Sequence, residues 1–201
     1  MDKAGEGAAV TSTKDRILDT TAELFKRYGF TGTGLKQIVA DANAPFGSVY
    51  HHFPGGKAEL GEAVIRRSGQ MYLELVMSVF DSAPDPLSAV DAIFAGAAAV
   101  LRETDYIDAC PIATVALEVA SSNEPLRIAT AEVFESWIAT AAARCAAGGI
   151  APDHARTVAI VIIELLEGGF LLSRAVRNTD ALDAACIGAR AVVSTALGGS
   201  T

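Results

Sequence analysis

Apolar residues recur at intervals of three and four positions from Ser12 almost to the end of the chain, the spacing that places them on one face of an α-helix. No stretch alternates apolar and polar residues over the length of a strand. Breaks rich in Gly, Pro, Asn or Asp separate the periodic segments. The pattern predicts an all-α protein of about nine helices, at residues 12–28, 35–42, 45–53, 57–80, 86–103, 110–120, 124–147, 152–177 and 180–197.

The first three predicted helices are short and closely spaced, which indicates a compact three-helix unit. Gly29 is suited to end the first helix, and Pro45 fits the first turn of the third, where no backbone donor is needed. Asn43 lies between helices two and three, where the turn requires a conformation that Asn adopts at little cost. This is the pattern of a DNA-reading helix-turn-helix, although small bundles that bind no DNA share it.

The charge distribution favours this N-terminal unit as the part that tolerates a polyanion. The formal net charge of −8 by itself argues against nucleic acid. The first 57 residues, however, carry 7 of the 16 basic and 6 of the 24 acidic residues, including all of the lysines. The rest of the chain is therefore strongly acidic, while the N-terminal part is slightly basic. Chance in a short segment is the alternative interpretation.

Residues 28–60, YGFTGTGLKQIVADANAPFGSVYHHFPGGKAEL, resemble the signature of the TetR family of transcriptional regulators. The matching positions are Gly29, Phe30, Thr33, Ile38, Ala42, Gly47, Val49, Tyr50, His52, Phe53, Lys57 and Leu60. The resemblance implies a helix-turn-helix DNA-binding domain at residues 12–60 and a helical ligand-binding and dimerisation domain at residues 61–201. Three departures from the family pattern imply fewer phosphate contacts and a shallower salt dependence: Gly34, Pro45 and Phe46. A fourth, Asn43, replaces the usual turn glycine and is tolerable.

The residues expected to contact DNA lie on helices two, three and four. Thr33 offers a hydroxyl and free N–H groups to a phosphate, and Lys57 adds its charge to the positive end of helix four after a Gly-Gly lead-in. Tyr50 and His51 project from the recognition helix, and Phe46 is suited to touch a thymine methyl group. Packing within the bundle is the alternative for Tyr50, and a solvated charge is the alternative for Lys57. The complete predicted set is Thr33, Lys36, Phe46, Gly47, Ser48, Tyr50, His51 and Lys57.

The helix predicted at residues 152–177 is apolar on nearly all sides, which indicates burial on more than one side. A dimer core formed with the last helix would bury it, and Gly168 and Gly169 permit a close approach. An ordinary core helix of a monomer is the alternative. A symmetric homodimer would place two recognition helices about 34–36 Å apart on a palindromic operator in double-stranded DNA.

Two strings, SVYHHFPGGKAEL and CPIATVALEVAS, resemble the branch of the family typified by the LmrA and YxaF regulators. That branch implies control of efflux or resistance genes and, for some members, a response to flavonoid-like aromatics. We expect an effector pocket among helices four to eight, with Asn123 and Glu164 as further polar candidates. The apolar residues of the predicted lining are Met71, Leu75, Phe94, Cys110, Leu117, Phe134, Trp137 and Phe170, and plain core packing is the alternative for each of them. Glu118 and Arg174 complete the predicted set as polar anchors.

The cysteine and histidine residues suggest no metal or disulfide framework. Cys110, Cys145 and Cys186 are far apart and odd in number. His51 and His52 are adjacent, so we expect their rings to point apart on a helix without forming a joint metal site. Cys110 precedes a helix start, which would lower the pKa of its thiol and suit oxidant sensing; a buried structural thiol is the alternative.

The sequence is interpreted as a ligand-responsive regulator, a repressor released from its operator by a small aromatic or hydrophobic molecule. The alternative is a helical ligand-binding or interaction module that has lost specific DNA binding. No nucleophile–base motif indicates an enzyme, and no cofactor is predicted. Glu164 and Glu167 interrupt the apolar run at residues 158–172, which argues against a membrane span there, and the N-terminus lacks the apolar core of a signal peptide. These features predict a cytoplasmic protein.

Overall fold

The computed structural model of the protein describes residues 11–198. The N-terminal ten residues, in which no signal peptide was expected, and residues 199–201 of the second predicted domain lie outside this range. Between residues 11 and 198 the structure has nine α-helices and no strand, which confirms the all-α prediction. The helices are α1 (Thr13–Tyr28), α2 (Leu35–Asp41), α3 (Gly47–His52), α4 (Gly56–Ser82), α5 (Pro86–Glu103), α6 (Pro111–Val119), α7 (Glu124–Ala147), α8 (Pro152–Val176) and α9 (Asp180–Gly198).

Local chemistry explains both ends of α1 and the start of α3. The Ser12 hydroxyl accepts a hydrogen bond from the Asp15 N–H at 3.1 Å and so caps α1, which ends at Gly29 with φ +67°. Helix α3 starts at Gly47 and not at Pro45 as predicted. The Ser48 N–H bonds to the Pro45 carbonyl at 2.9 Å, three residues back, so a tighter turn precedes the helix.

A first hydrophobic core joins the three-helix unit to the rest of the chain. Side chains of α1–α3 pack with Leu60, Val64 and Ile65 of α4, and the same cluster continues into α6 and the first half of α7. The members from α6 and α7 are buried: Ile112, Val115, Val119, Leu126, Ala129 and Val133. The core is thus continuous across residue 60, where the division between the two domains was predicted. That division stays a prediction, since α4 runs through it without a break.

A second hydrophobic core lies at the other end of the chain. It is formed by α5, the end of α7, α8 and α9, and its largest fully buried members include Leu101, Ile150 and Leu182. Small residues permit the close packing of α8 on α9. An added Cβ at Gly169 would lie 2.7 Å from Leu182 Cδ2, so this crossing needs glycine or a shift of that leucine.

Helix α9 is long and apolar enough, by length and composition, to cross a membrane. This observation is weak, because core helices of soluble proteins pass the same test. One face of α9 is buried in the second core, including Leu182 and Val193, and Arg190 pairs with Asp91 of α5. We therefore describe α9 as a helix that packs one face against the second core.

Helices α4 and α7 pack closely at Gly69. A Cβ at this position would lie 2.5 Å from Val133 Cγ1, a distance that real side chains do not adopt. The Trp137 indole N–H also donates to the Gly69 carbonyl at 2.9 Å. The crossing therefore combines a steric fit with a hydrogen bond that fixes the orientation of the indole.

We predict that Gly69→Ala lowers the free energy of unfolding by about 1–3 kcal/mol, because the added methyl group overpacks the α4–α7 crossing. Gly96→Ala is the matched control, since Gly96 lies within α5 with no atom near its added Cβ. The control substitution is expected to raise the free energy of unfolding by about 0.5–1 kcal/mol. Urea denaturation measures both, and equal midpoints for the two variants would contradict the close crossing.

Candidate nucleic-acid interface and regulatory contacts

Helix α3 has one buried and one exposed side. Val49 and Phe53 are buried in the first core, as expected for residues that orient the helix. Phe46 and Tyr50 are 46% and 50% exposed, and their ring centroids lie 5.9 Å apart. The exposed side of α3 thus presents two aromatic rings to solvent. The other predicted DNA-facing positions of this segment are exposed or half-buried: Gly47, Ser48 and His51.

Arg16 of α1 holds the turn that sets the direction of α3. Its Nε donates to the Ala42 carbonyl at 3.2 Å, and its Nη2 donates to the Asn43 carbonyl at 3.4 Å. Asn43 adopts φ +47°, the left-handed conformation that the sequence predicted. Sequence reasoning missed Arg16, because an arginine on an amphipathic helix resembles a solvated charge and its partners lie 26 and 27 residues away.

The structure does not support Thr33 as a phosphate contact. Its side chain is fully buried, and its hydroxyl donates to the Gly29 carbonyl at 2.7 Å. The Thr33 N–H bonds to the Phe30 carbonyl at 3.3 Å. The threonine therefore stabilises the loop between α1 and α2, and the prediction of an available hydroxyl at this position is wrong.

Lys57 lies in the first turn of α4, as predicted, directly after Gly56 with φ +67°. Its ammonium group lies 4.3 Å from the centroid of the Phe30 ring, within cation–π range. Partial burial lowers the pKa of Lys57, and the negative charge of Glu118 opposes this shift. Lys57 therefore turns back toward the α1–α2 loop, whereas Lys36 on α2 is exposed.

The histidine pair differs from expectation. The rings of His51 and His52 do not point apart but meet edge to face, with centroids 4.8 Å apart. The prediction of diverging rings is therefore wrong, because α3 ends at His52 and the rings are free to converge there. Among residues 11–198, no group of three or more side chains with metal-ligating atoms comes together.

Glu118 contacts the three-helix unit and not a pocket among the later helices. Its carboxylate accepts a hydrogen bond from the Thr31 N–H at 2.7 Å. It lies directly over Gly29, where an added Cβ would be 1.6 Å from Glu118 Oε1. Gly29 is favoured here by its positive φ, and a side chain at this position would also displace the Glu118 carboxylate.

The predicted effector residues do not gather in one cavity. Met71 borders a groove of about 360 Å³ between α1 and α4, and Trp137 borders one of about 180 Å³ between α4 and α7. Phe94 is buried in the second core, and Leu117 is 79% exposed. Arg174 is not a free polar anchor, since its guanidinium donates to the Tyr106 and Ile107 carbonyls. The remaining residues are divided between the surface (Leu75) and the edges of the two cores (Cys110, Phe134 and Phe170).

A largely buried carboxyl group lies where the two cores meet. Glu167 of α8 contacts Cys110, which precedes α6 and packs against the first core. Burial raises the pKa of Glu167 to about 7, although the hydrogen bond with Cys110 opposes this shift. Sequence reasoning used Glu167 only to exclude a membrane span. A carboxylate within an apolar run could have pointed to a buried acid at this position. Glu164, three residues earlier, lies in the same run but is exposed, so the sequence could not tell the two apart.

Cys110 does not have the low-pKa environment that oxidant sensing requires. Burial raises the pKa of its thiol well above the ordinary value, and the charge of Glu167 raises it further. The hydrogen bond from the Ala113 N–H to the sulfur is too weak a compensation. The structure supports a partly buried structural thiol that caps α6.

Two family models cover most of this chain. The model described as "Bacterial regulatory proteins, tetR family" matches residues 17–64, which include the whole of α2 and α3. The model described as "Transcriptional regulator LmrA/YxaF-like, C-terminal domain" matches residues 86–186. Both matches agree with the resemblance found in the sequence.

Curated proteins and solved structures give the same result. The chain is 35% identical to the uncharacterised HTH-type transcriptional regulator YxaF of Bacillus subtilis, over 80% of this chain and 84% of YxaF. It is 29% identical to the HTH-type transcriptional regulator LmrA of the same organism, over 84% of this chain and 90% of LmrA. A TetR transcriptional regulator from Legionella pneumophila shares the fold, with a TM-score of 0.78 at 22% identity over 94% of this chain and 98% of that one. The chain therefore belongs to the TetR family of DNA-binding transcriptional regulators, with a C-terminal domain of the LmrA/YxaF type.

Proposed function

We propose that this regulator is a cytoplasmic homodimer that represses transcription from a palindromic operator and is released by a small aromatic or hydrophobic molecule. The observation that carries the proposal is the exposed side of α3. Two large aromatic side chains, Phe46 and Tyr50, are about half exposed on a short helix whose other side is anchored in the core. Large aromatic side chains exposed together in this way are typical of a surface that binds a partner.

In the proposed complex α3 lies in the major groove. Phe46 meets a thymine methyl group, Gly47 lets the backbone approach, and the Tyr50 hydroxyl bonds to a phosphate or a base edge. Lys36 and Lys57 supply phosphate contacts from α2 and α4. Thr33 leaves the predicted set because its hydroxyl is used within the protein.

The proposed dimer interface is formed by α8 and α9. Four large apolar side chains on these helices are between 57% and 71% exposed: Leu171, Leu172, Val176 and Ile187. Leu172 and Val176 are four residues apart and so lie on one face of α8. A second copy would cover this apolar surface with its own equivalent, as a two-fold interface requires. TetR-family regulators generally act as dimers, which supports the same arrangement.

The proposed effector site is the place where the two cores meet, at the contact between Glu167 and Cys110. The lining residues share no cavity there, so an effector would have to open one. Cys110, Phe134 and Trp137 lie at the edge of the first core, and Phe170 lies at the edge of the second. Glu167 adds the largely buried polar group that such a site needs for orientation. A ligand inserted here would alter the packing of α6 against α8. It would release DNA if it favoured a dimer whose recognition helices no longer match the operator spacing.

Tyr50→Ala is expected to weaken binding to the operator at least tenfold without changing the unfolding midpoint, because the exposed ring contributes little to the core. Tyr28→Ala is the matched control, since Tyr28, the last residue of α1, is 54% exposed and is not among the predicted DNA contacts. The operator is selected from random DNA with the purified protein, and fluorescence anisotropy measures the affinities. If the folded protein selects no DNA sequence, the alternative interpretation is favoured: a helical ligand-binding or interaction module that has lost specific DNA binding.

Leu172→Glu is expected to convert the dimer to a monomer in sedimentation experiments, because it places a charge in the proposed apolar interface. Leu117→Glu on α6 is the control: this leucine is more exposed than Leu172 but lies outside the interface. If the Leu172→Glu protein sediments like the wild type, the proposal that this face of α8 forms the dimer interface is wrong.

A neutral aromatic effector is expected to quench the fluorescence of Trp137 and to dissociate the operator complex. Enclosing Glu167 further favours its protonated form, so effector affinity should fall as the pH rises from 6 to 8, through the pKa of about 7. Glu167→Gln should abolish this pH dependence while retaining binding. Equal pH dependence in both proteins would show that Glu167 is not part of the effector site. If no class of aromatic compound quenches the Trp137 fluorescence, the proposed site is wrong.

A further inference from the structure

Helix α6 links the proposed effector site to the DNA-binding unit over a short distance. It has nine residues and is therefore about 13 Å long. Cys110, at its N-terminus, faces Glu167, and Glu118, near its C-terminus, contacts the α1–α2 loop. A rigid helix of this length transmits a displacement at one end directly to the other.

The carboxylate of Glu118 and the ammonium of Lys57 approach the α1–α2 loop together. Glu118 accepts the Thr31 N–H, and Lys57 lies over the ring of Phe30, the preceding residue of the same loop. The charge of Glu118 stabilises the protonated form of Lys57. Phe30 is itself held against α4, since an added Cβ at Gly61 would lie 3.1 Å from its ring. The loop thus offers Lys57 a position partly out of solvent, with a negative charge nearby.

A DNA phosphate would offer Lys57 the same kind of partner. Lys57 lies in the first turn of α4, close to the recognition helix α3. The residue before it, Gly56, is near the Tyr50 ring, since an added Cβ there would lie 3.4 Å from that ring. Lys57 has a flexible four-carbon stem, so its ammonium group can either stay over the Phe30 ring, near Glu118, or swing toward a phosphate. The position seen in the structure is the one that faces the protein.

We propose that Glu118 is a positioning residue for DNA binding, which competes with the operator phosphate for Lys57 and so makes the affinity for DNA depend on the position of α6. This rests on the proposed role of Lys57 as a phosphate contact. When α6 carries Glu118 toward the loop, Lys57 stays over Phe30; when α6 moves away, Lys57 is free to reach the phosphate. The Arg27–Asp108 ion pair, at 3.2 Å, provides a second tie between α1 and the segment that precedes α6.

Glu118→Gln tests the proposal, because glutamine keeps an oxygen that accepts the Thr31 N–H but removes the charge. Glu124→Gln is the matched control: it removes the same charge from a carboxylate that pairs only with Arg127 of its own helix. Affinity for the selected operator is measured for both variants, for Lys57→Ala and for Glu118→Gln with Lys57→Ala, over a range of salt concentrations.

Glu118→Gln is expected to bind the operator about three- to tenfold more tightly, with a salt slope steeper by up to about 0.9, the value for one added phosphate contact. Glu124→Gln should match the wild-type slope, and the double variant should match Lys57→Ala. A purely structural role of Glu118 would change the unfolding midpoint but leave the slope unaltered.

Two results would overturn the proposal, and they are distinguishable. If Lys57→Ala weakens binding while Glu118→Gln has the wild-type slope, competition by Glu118 is refuted and the phosphate role of Lys57 stands. If Lys57→Ala binds with wild-type affinity and slope, both the phosphate role of Lys57 and the competition are refuted.

Discussion

Burial of α6 and the first half of α7 against the three-helix unit is the interaction on which the rest of this structure depends. Ile112, Val115 and Leu126 are fully buried in the same cluster as Ile17, Phe25 and other residues of the recognition unit. Each such side chain contributes roughly 1.5–3 kcal/mol on burial, so the three together are comparable with the net stability of a whole domain. The DNA-binding unit therefore shares its core with α6 and α7, so a change in the packing of these two helices reaches it directly.

The polar contacts of functional interest lie at the edges of this shared core. Glu118 reaches the α1–α2 loop at one edge, while Cys110 faces Glu167 at another, toward the second core. Glu167 lies in largely apolar surroundings, where electrostatic interactions are stronger than in bulk water. A small movement of α6 would change both sets of contacts at once, because the two lie at opposite ends of one short helix. The shared core supplies the rigidity, and its edges supply the charges that a ligand or DNA can compete for.

Helix positions and the recognition unit were predictable from the sequence because their signals are local. Periodicity, a capping Ser12, a left-handed Asn43 and the Gly-Gly lead-in act within a few residues, and predicted helix bounds differ by at most two residues from those observed. The candidate sites were less predictable. Thr33 is buried, although the signature it belongs to predicted a contact with DNA. The ten predicted effector residues are spread over the two cores and the surface. The partners of Arg16 and Glu118 could not be predicted, since they lie 26 and 87 residues away in the chain.

The sequence by itself determined the helical architecture, the family and the face of α3 that meets solvent, because each depends on residues that are neighbours in the chain or one helical turn apart. Only the tertiary structure decided which charges lie beside which backbone groups. It turned Glu118 from an expected ligand anchor into a contact with the DNA-binding unit, Arg174 into a clamp on the loop before α6, and Glu167 into the largely buried acid where the two cores meet. The reason is physical: the pKa and the partner of a charged side chain depend on distances between helices, and these follow from how the two cores pack.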